Sequence, residues 1–272
     1  MRAEEFIKQQ ITTGHEIHFN KGIWWQRIAP FFYKPVVQFQ ETMPGKSAPA
    51  FFKSLSGYSH LVSDKKLANK YWSVMLLDHE KKKEFTIKSL SSSKRAQVRK
   101  GLRLTEIKKI ENIEPVIEDI KNICISQARR TLHGLPPEYY IKHYKKWRIW
   151  ITKEFNLPKR EWWGSFYQGS LIAYNYSVQV DDAMAIYTAK SHTDFLDKCP
   201  NDALVYTFLD YCKSLDNCKK IIYGEWSREA GSLNEFKRKY GFERVDFPVY
   251  AKYNPLVLLC KKGASRLSRK TS

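Results

Sequence analysis

The chain has no long apolar run. None of its 272 residues belongs to a stretch approaching the roughly 20 consecutive apolar residues of a membrane-spanning helix. The opening MRAEEFIKQQ also lacks the apolar core of a signal peptide. A cytoplasmic protein is therefore expected, with no transmembrane segment. Cysteine is sparse: Cys124, Cys199, Cys212, Cys218 and Cys260 are odd in number, widely spread, and form no C-x-x-C pair. That argues against a disulfide framework or a zinc site and suggests buried, reduced thiols. No cluster has metal-ligand spacing, and no Ser-His-Asp or Cys-His order points to a covalent nucleophile. Internal repeats are not visible. Acidic residues are few, 28 against 47 basic ones, giving a net charge of +19.

Hydrophobic residues at 43% and aromatics at 14% are enough to fill a core, which excludes global disorder. The length allows one large domain or two small ones. The positive charge is concentrated. Residues 81–109 hold eleven Lys/Arg against two Glu, and the tail 261–272 adds five unopposed basic residues. Such a surface attracts polyanions: nucleic acid such as tRNA, anionic lipid heads in peripheral membrane contact, or phosphorylated carriers. A solvated basic face is the plain alternative.

Residues 161–242 carry the clearest pattern. From Leu171 to Val180 the residues alternate strictly, with Ile172, Tyr174, Tyr176, Val178 and Val180 on one side and Ala173, Asn175, Ser177 and Gln179 on the other. This is the period of a half-buried strand. Gln168-Gly169-Ser170 and Asp181-Asp182 are turn signals, so two hairpins link three strands. Beyond Pro200, Leu204, Val205, Phe208, Leu209, Cys212 and Leu215 recur at helical spacing. A short strand (221–223) follows, then a helix from Gly231 whose Leu233, Phe236 and Tyr240 share a face, with Gly241 at the expected C-cap.

Upstream, residues 1–20 suggest a short helix or arm, 22–43 an aromatic, strand-rich stretch with prolines favouring edge strands, and PGKSAPAFFKSLSGYSHLV a loop, short helix and strand. Tyr71–Leu77 predicts another strand. In SLSSSKRAQVRKGLRL, Ser91–Ser93 can cap a helix. Arg95, Arg99 and Arg103 then form a stripe, with Val98 and Leu102 anchoring the other face. Guanidinium groups at that spacing suit phosphate or carboxylate. LTEIKKI (104–110) predicts a strand, and 113–130 and 137–155 each predict a helix; the aromatic face of the second helix suggests core first and an acceptor platform second.

This element order, with GSLNEFKRKYGF, resembles the GNAT acyltransferase superfamily and, more narrowly, its FemAB-like branch. The matching residues are Gly231, Phe236-Lys237 and Tyr240-Gly241, together with Ser91, Arg95, Arg99 and Gly101 at the join between halves. The resemblance implies an α+β fold with a mixed, mostly antiparallel sheet flanked by helices. The domains would be a smaller β-rich half (1–103), read as a degenerate copy of the same unit and ending in the basic helix, a GNAT-like domain (104–260), and a basic, disordered tail (261–272). It also implies an N-acyltransferase passing an acyl or aminoacyl group from acyl-CoA or aminoacyl-tRNA, without a metal, to an amine on a sugar, peptide or lipid-linked precursor, in cell-envelope or polysaccharide synthesis. A lipid-pyrophosphate-linked sugar or an acyl-carrier protein would suit the basic surface equally. The alternative is a GNAT-like scaffold without catalysis that binds nucleic acid or an anionic surface.

Ordinary GNAT members hold the CoA pyrophosphate on a glycine-containing loop before the central helix. The corresponding DFLDKCPND (194–202) has no glycine and several acids, which puts acetyl-CoA in doubt; Asn201 and Asp202, where the helix would begin, are the donor-site candidates. Glu225, ending KIIYGE, is the candidate proton acceptor, and Lys237 the candidate contact to a phosphate or developing oxyanion. Lys190, Tyr187 and Arg228 join Arg95, Arg99 and Arg103 as substrate-binding candidates. Tyr206 is a further candidate acid, and His192 a loop histidine expected to be solvated.

Overall fold

The computed structural model describes residues 1–37, 48–50, 53–131 and 135–255. The basic tail, Cys260, the end of the strand-rich stretch (38–43) and residues 44–47 and 51–52 of the segment predicted as loop and short helix lie outside the described residues. In chain order the elements are α1 (Ala3–Thr12), β1 (Ile17–Asn20), β2 (Ile23–Ala29), β3 (Phe32–Pro35), β4 (Gly57–Leu61), β5 (Lys70–Leu77), α2 (His79–Glu84), α3 (Ser92–Leu104), β6 (Glu106–Lys109), α4 (Ile117–Thr131), α5 (Pro137–Lys142), α6 (Tyr144–Phe155), β7 (Arg160–Tyr167), β8 (Ser170–Val180), β9 (Ala183–Ser191), α7 (Pro200–Lys213), β10 (Lys220–Glu225), α8 (Gly231–Arg238) and β11 (Glu243–Tyr253).

Two compact units divide this chain. The larger holds Met1 and Val74–Val245; the smaller holds Arg2–Ser73 and the chain from Asp246 onward. The divisions fall inside β5 and β11, not at 103/104. Basic helix α3, expected to close the N-terminal half, belongs to the larger unit because it packs on α7. The smaller unit is strand-dominated: β1, β2 and β3 are antiparallel neighbours, β3 runs parallel to β4, and β4 pairs antiparallel with Val249–Tyr253 of β11. Trp25, Tyr33 and Tyr58 form its buried centre.

In the larger unit the sheet order is β5-β10-β9-β8-β7-β6. The β10–β9 pair is parallel and every other pair antiparallel, so the sheet is mixed and mostly antiparallel. Both expected hairpins form. The Gln168-Gly169 loop takes positive φ at both residues (50° and 83°), which suits the right-handed twist of its strands.

The strand read as half-buried is instead buried on both faces from Leu171 to Val178. Helices cover each side. Tyr174 reaches Cys124 on α4 and Tyr176 donates to Glu154 on α6, while the Asn175 side lies under α7, whose Leu204, Val205, Phe208, Leu209 and Cys212 are fully buried. The helix predicted over 137–155 is two helices, broken at His143, whose φ of −113° and ψ of 27° are not helical. At the far end of α7, the buried Lys82 donates to the Cys212 and Leu215 carbonyls at 3.1 and 2.9 Å. Both carbonyls also accept a backbone N–H, from Leu215 and Cys218, and the added cation lies at the negative end of the helix.

Candidate active site

The parallel pair β9–β10 is in register only over Ala183–Ala185 and Lys220–Ile222. Beyond those residues β9 continues to Ser191 and β10 to Glu225 without pairing each other, so the two strands part toward their carboxyl ends. Two irregularities mark these strand ends. In β9, Tyr187 has no partner in β8, since Tyr176 faces Thr188 and Ser177 faces Ile186; this bulge turns the Tyr187 ring outward, 55% exposed and stacked on Tyr176 at 5.8 Å. In β10 the pairing to β5 shifts between Ile222 and Glu225. Gly224 there has φ of +64°, a backbone state that L side chains rarely adopt.

Lys237 lies beside the end of β10. It sits on α8, only 3% exposed, with Nζ donating to the Glu225 carbonyl at 3.2 Å and lying 5.1 Å from the centre of the Tyr223 ring. Burial pulls its pKa down to about 8, while the nearby Glu225 carboxylate works in the opposite direction. Glu225 itself is exposed at the strand end. The two residues chosen as catalytic candidates from the sequence are therefore neighbours. Tyr223, beneath them, has its hydroxyl pushed well up by burial, with Asp202 adding to the effect.

Asp202 binds inward. Its carboxylate pairs with Lys94 of α3 at 2.5 Å and accepts from the Tyr240 hydroxyl at 2.8 Å, and Lys94 Nζ also lies over the Phe236 and Tyr240 rings. Lys94 and Tyr240 are both buried, and burial beside Asp202 drives the Tyr240 pKa strongly upward. Helix α3 reaches α7 so closely only because Gly101 has no side chain: a Cβ there would lie 2.5 Å from the Cys199 carbonyl oxygen and 2.8 Å from Ala203 Cβ. The buried stripe of α3 is thus Lys94, Val98 and Gly101, while Leu102, expected to anchor it, is 40% exposed.

The start of α7 is a poor anion cradle. Cys199 caps it in the left-handed conformation, Pro200 at the first position has no N–H, and the Asp202 and Ala203 amides both donate to the Cys199 carbonyl. Asn201 turns its Nδ2 to Ser191 at 3.0 Å. Of the arginine stripe, Arg95 is spent on the Leu90 carbonyl at 2.6 Å, while Arg99 and Arg103 are exposed. Arg228 is exposed in a short turn before α8.

Lys190 lies apart from Lys237, near Cys124 Sγ (3.3 Å) and Tyr140 (3.5 Å). Burial opposes its charge, yet Cys124 and Tyr140 hold its pKa above the usual value. Tyr206 packs on Phe85, and His192 accepts from the Asp194 amide. Cys124, Cys212 and Cys218 are buried thiols, as expected, and Cys199 is partly exposed. Sequence reasoning passed over Lys94, Tyr223 and the pairing of Asp202 with Tyr240. The spacing of Val98 and Gly101 marks the buried stripe of α3, but no local signal shows that Lys94 joins it.

Among the described residues no group of His, Cys, Asp and Glu could hold a metal ion, and no helix is long and apolar enough to cross a membrane. No family model and no curated protein matches the chain. Among solved structures it is similar over its whole length to FemX (10% identity, 95% of this chain and 93% of that one, TM-score 0.60). It is also similar to L-PGS from Bacillus licheniformis (12% identity, 99% and 98%, TM-score 0.55). A third is a C-terminal domain ascribed to a lysylphosphatidylglycerol synthetase of Agrobacterium fabrum (12% identity, 96% and 91%, TM-score 0.59). The fold is the FemAB-like one that the residues around Lys237 suggested, a mixed and mostly antiparallel sheet flanked by helices.

Proposed function

We propose that the protein is an N-acyltransferase that moves an aminoacyl group from aminoacyl-tRNA to an amine on a sugar, peptide or lipid-linked acceptor. The observation that carries this reading is Lys237, buried at the end of β10 beside Glu225, with its pKa pulled to about 8. In this scheme the acceptor nitrogen attacks the ester carbonyl of the donor; a C–N bond forms and the bond to the ribose oxygen breaks. Glu225 takes the proton of the attacking amine, directly or through water, and passes it to the leaving ribose oxygen. The Lys237 ammonium faces the oxyanion that develops on the carbonyl. Near neutral pH an amine of pKa about 8 is still about nine-tenths protonated, so the charge is available, and its incomplete solvation makes it responsive to an anion.

A tRNA donor is preferred to acyl-CoA because the start of α7 offers few free amides and carries the Asp202 carboxylate inward of them. The FemX and L-PGS folds support a transferase of this general kind. The test is turnover of charged tRNA with amine acceptors, alongside titration with acyl-CoA. Glu225→Gln and Lys237→Ala should each slow turnover tenfold or more with the fold intact. Saturable acyl-CoA binding would overturn the donor assignment. Unchanged turnover in both variants would remove the site and leave a binding scaffold.

A further inference from the structure

Helix α6 has two faces of different chemistry. Trp147, Ile151 and Glu154 point inward, Glu154 in an ion pair with Arg160. At 3.6 residues per turn, Lys145, Ile149, Lys153, Lys146 and Trp150 follow one another around the opposite arc. Ile149 is 70% and Trp150 56% exposed. No acidic side chain stands on that arc. The preceding helix α5 ends with Ile141, 60% exposed, and Lys142, also exposed. Large apolar side chains at this exposure, interleaved with lysines, are costly to keep in water without a partner.

We propose that the outward face of α6, extended by Ile141 and Lys142, docks on an anionic lipid bilayer. Trp150 and Ile149 enter the interface between headgroups and acyl chains, and the lysines meet the headgroup phosphates. The argument is complementarity of charge and polarity together. Lysine stems lie along apolar surface with the ammonium in water, tryptophan favours the interfacial depth, and an apolar face rimmed by lysine is the pattern of helices that lie in a membrane surface. A nucleic acid would use the lysines and stack on Trp150 but would leave Ile149 and Ile141 unused. The docking does not depend on the transferase reading, because binding is read without turnover.

The protein is mixed with vesicles of phosphatidylcholine alone and of phosphatidylcholine with about 30% phosphatidylglycerol, the anionic lipid being the source of surface potential. Sedimentation with the anionic vesicles, and far less with the neutral ones, is expected. Ile149→Ser with Trp150→Ser should lower vesicle affinity about tenfold or more, and replacing Lys145 and Lys146 by Gln should do likewise. Both pairs are exposed, so circular dichroism and the thermal midpoint should not change. Because Arg99, Arg103 and the basic tail also attract anions, a depth probe assigns the contact. Lipids brominated on the acyl chain should quench tryptophan emission of the unaltered protein but not of Trp150→Phe, which should still sediment. Wild-type binding by the double Ser variant would overturn the proposal, as would quenching that persists in Trp150→Phe. It would equally fall if the α6 variants instead dissociated a dimer or lost RNA binding with vesicle binding unaltered.

Discussion

Lys237 is a titrating group in the range where an amine and its conjugate acid coexist. Its proton leaves the folded protein near pH 8, whereas the unfolded chain keeps that proton to near the ordinary lysine value of 10.5. Between those values the unfolded state binds more protons, so this group makes unfolding harder as pH rises; below about 8 both states carry the charge and its influence is flat. Catalysis should run the other way. With the ammonium required, kcat/KM should fall about tenfold per pH unit above pH 8. Lys237→Ala should remove that alkaline limb along with most of the rate, and a pH–rate profile of the two proteins checks it. At this scale the sequence was partly legible. Glu225 and Lys237 could be chosen because a strand end and a Phe-Lys pair carry a local signature. Lys94 could not, since a lysine is read as solvated until its partner, 108 residues on, is known. The same difficulty concealed Lys82 on the last carbonyls of α7.

Helices α3, α7 and α8 are tied by one polar knot, and its parts fail differently. Lys94→Met would leave the Asp202 carboxylate, with a side-chain exposure of 14%, without its cation. Loss of about 3–5 kcal/mol is expected for a buried pair broken on one side, read from urea unfolding. A second change, Asp202→Leu, should restore part of it. Gly101→Ala should cost about 1–3 kcal/mol by overpacking against Cys199 and Ala203. Element order from β6 to β11 was readable because turns and helix ends carry their own residues: Gln168-Gly169, Asp181-Asp182, Pro200, Gly241. Two features were not. The polar side of β8, with Asn175 and Ser177, looked like a solvent face because alternation reports two different faces and not what covers them. The break at His143 carries neither glycine nor proline.

Across the whole molecule the positive charge is less free than the totals suggest. Within 81–109, Lys82 and Lys94 turn inward, Arg95 holds a carbonyl, and Lys81, Lys108 and Lys109 pair with Glu243, Glu106 and Glu161. Lys83, Lys88 and Lys100 stay exposed, and so do Arg99 and Arg103. Replacement of these two arginines by Ala should weaken tRNA binding and flatten the logarithmic salt dependence by about one for each phosphate no longer neutralised, whereas Arg95→Ala should act on stability.

The division of the chain has a consequence for biosynthesis. Strand β4, buried along its whole length, pairs with Val249–Tyr253, which is made only after Val74–Val245 has been translated. At about 5–20 residues per second that stretch occupies the ribosome for roughly 10–30 s. The larger unit has that time to fold, while β4, with its buried Ser59 and His60, waits for its β11 partner. The nascent chain therefore passes through an interval in which β4 lacks this partner, and pauses in translation between Ser73 and Asp246 would lengthen it.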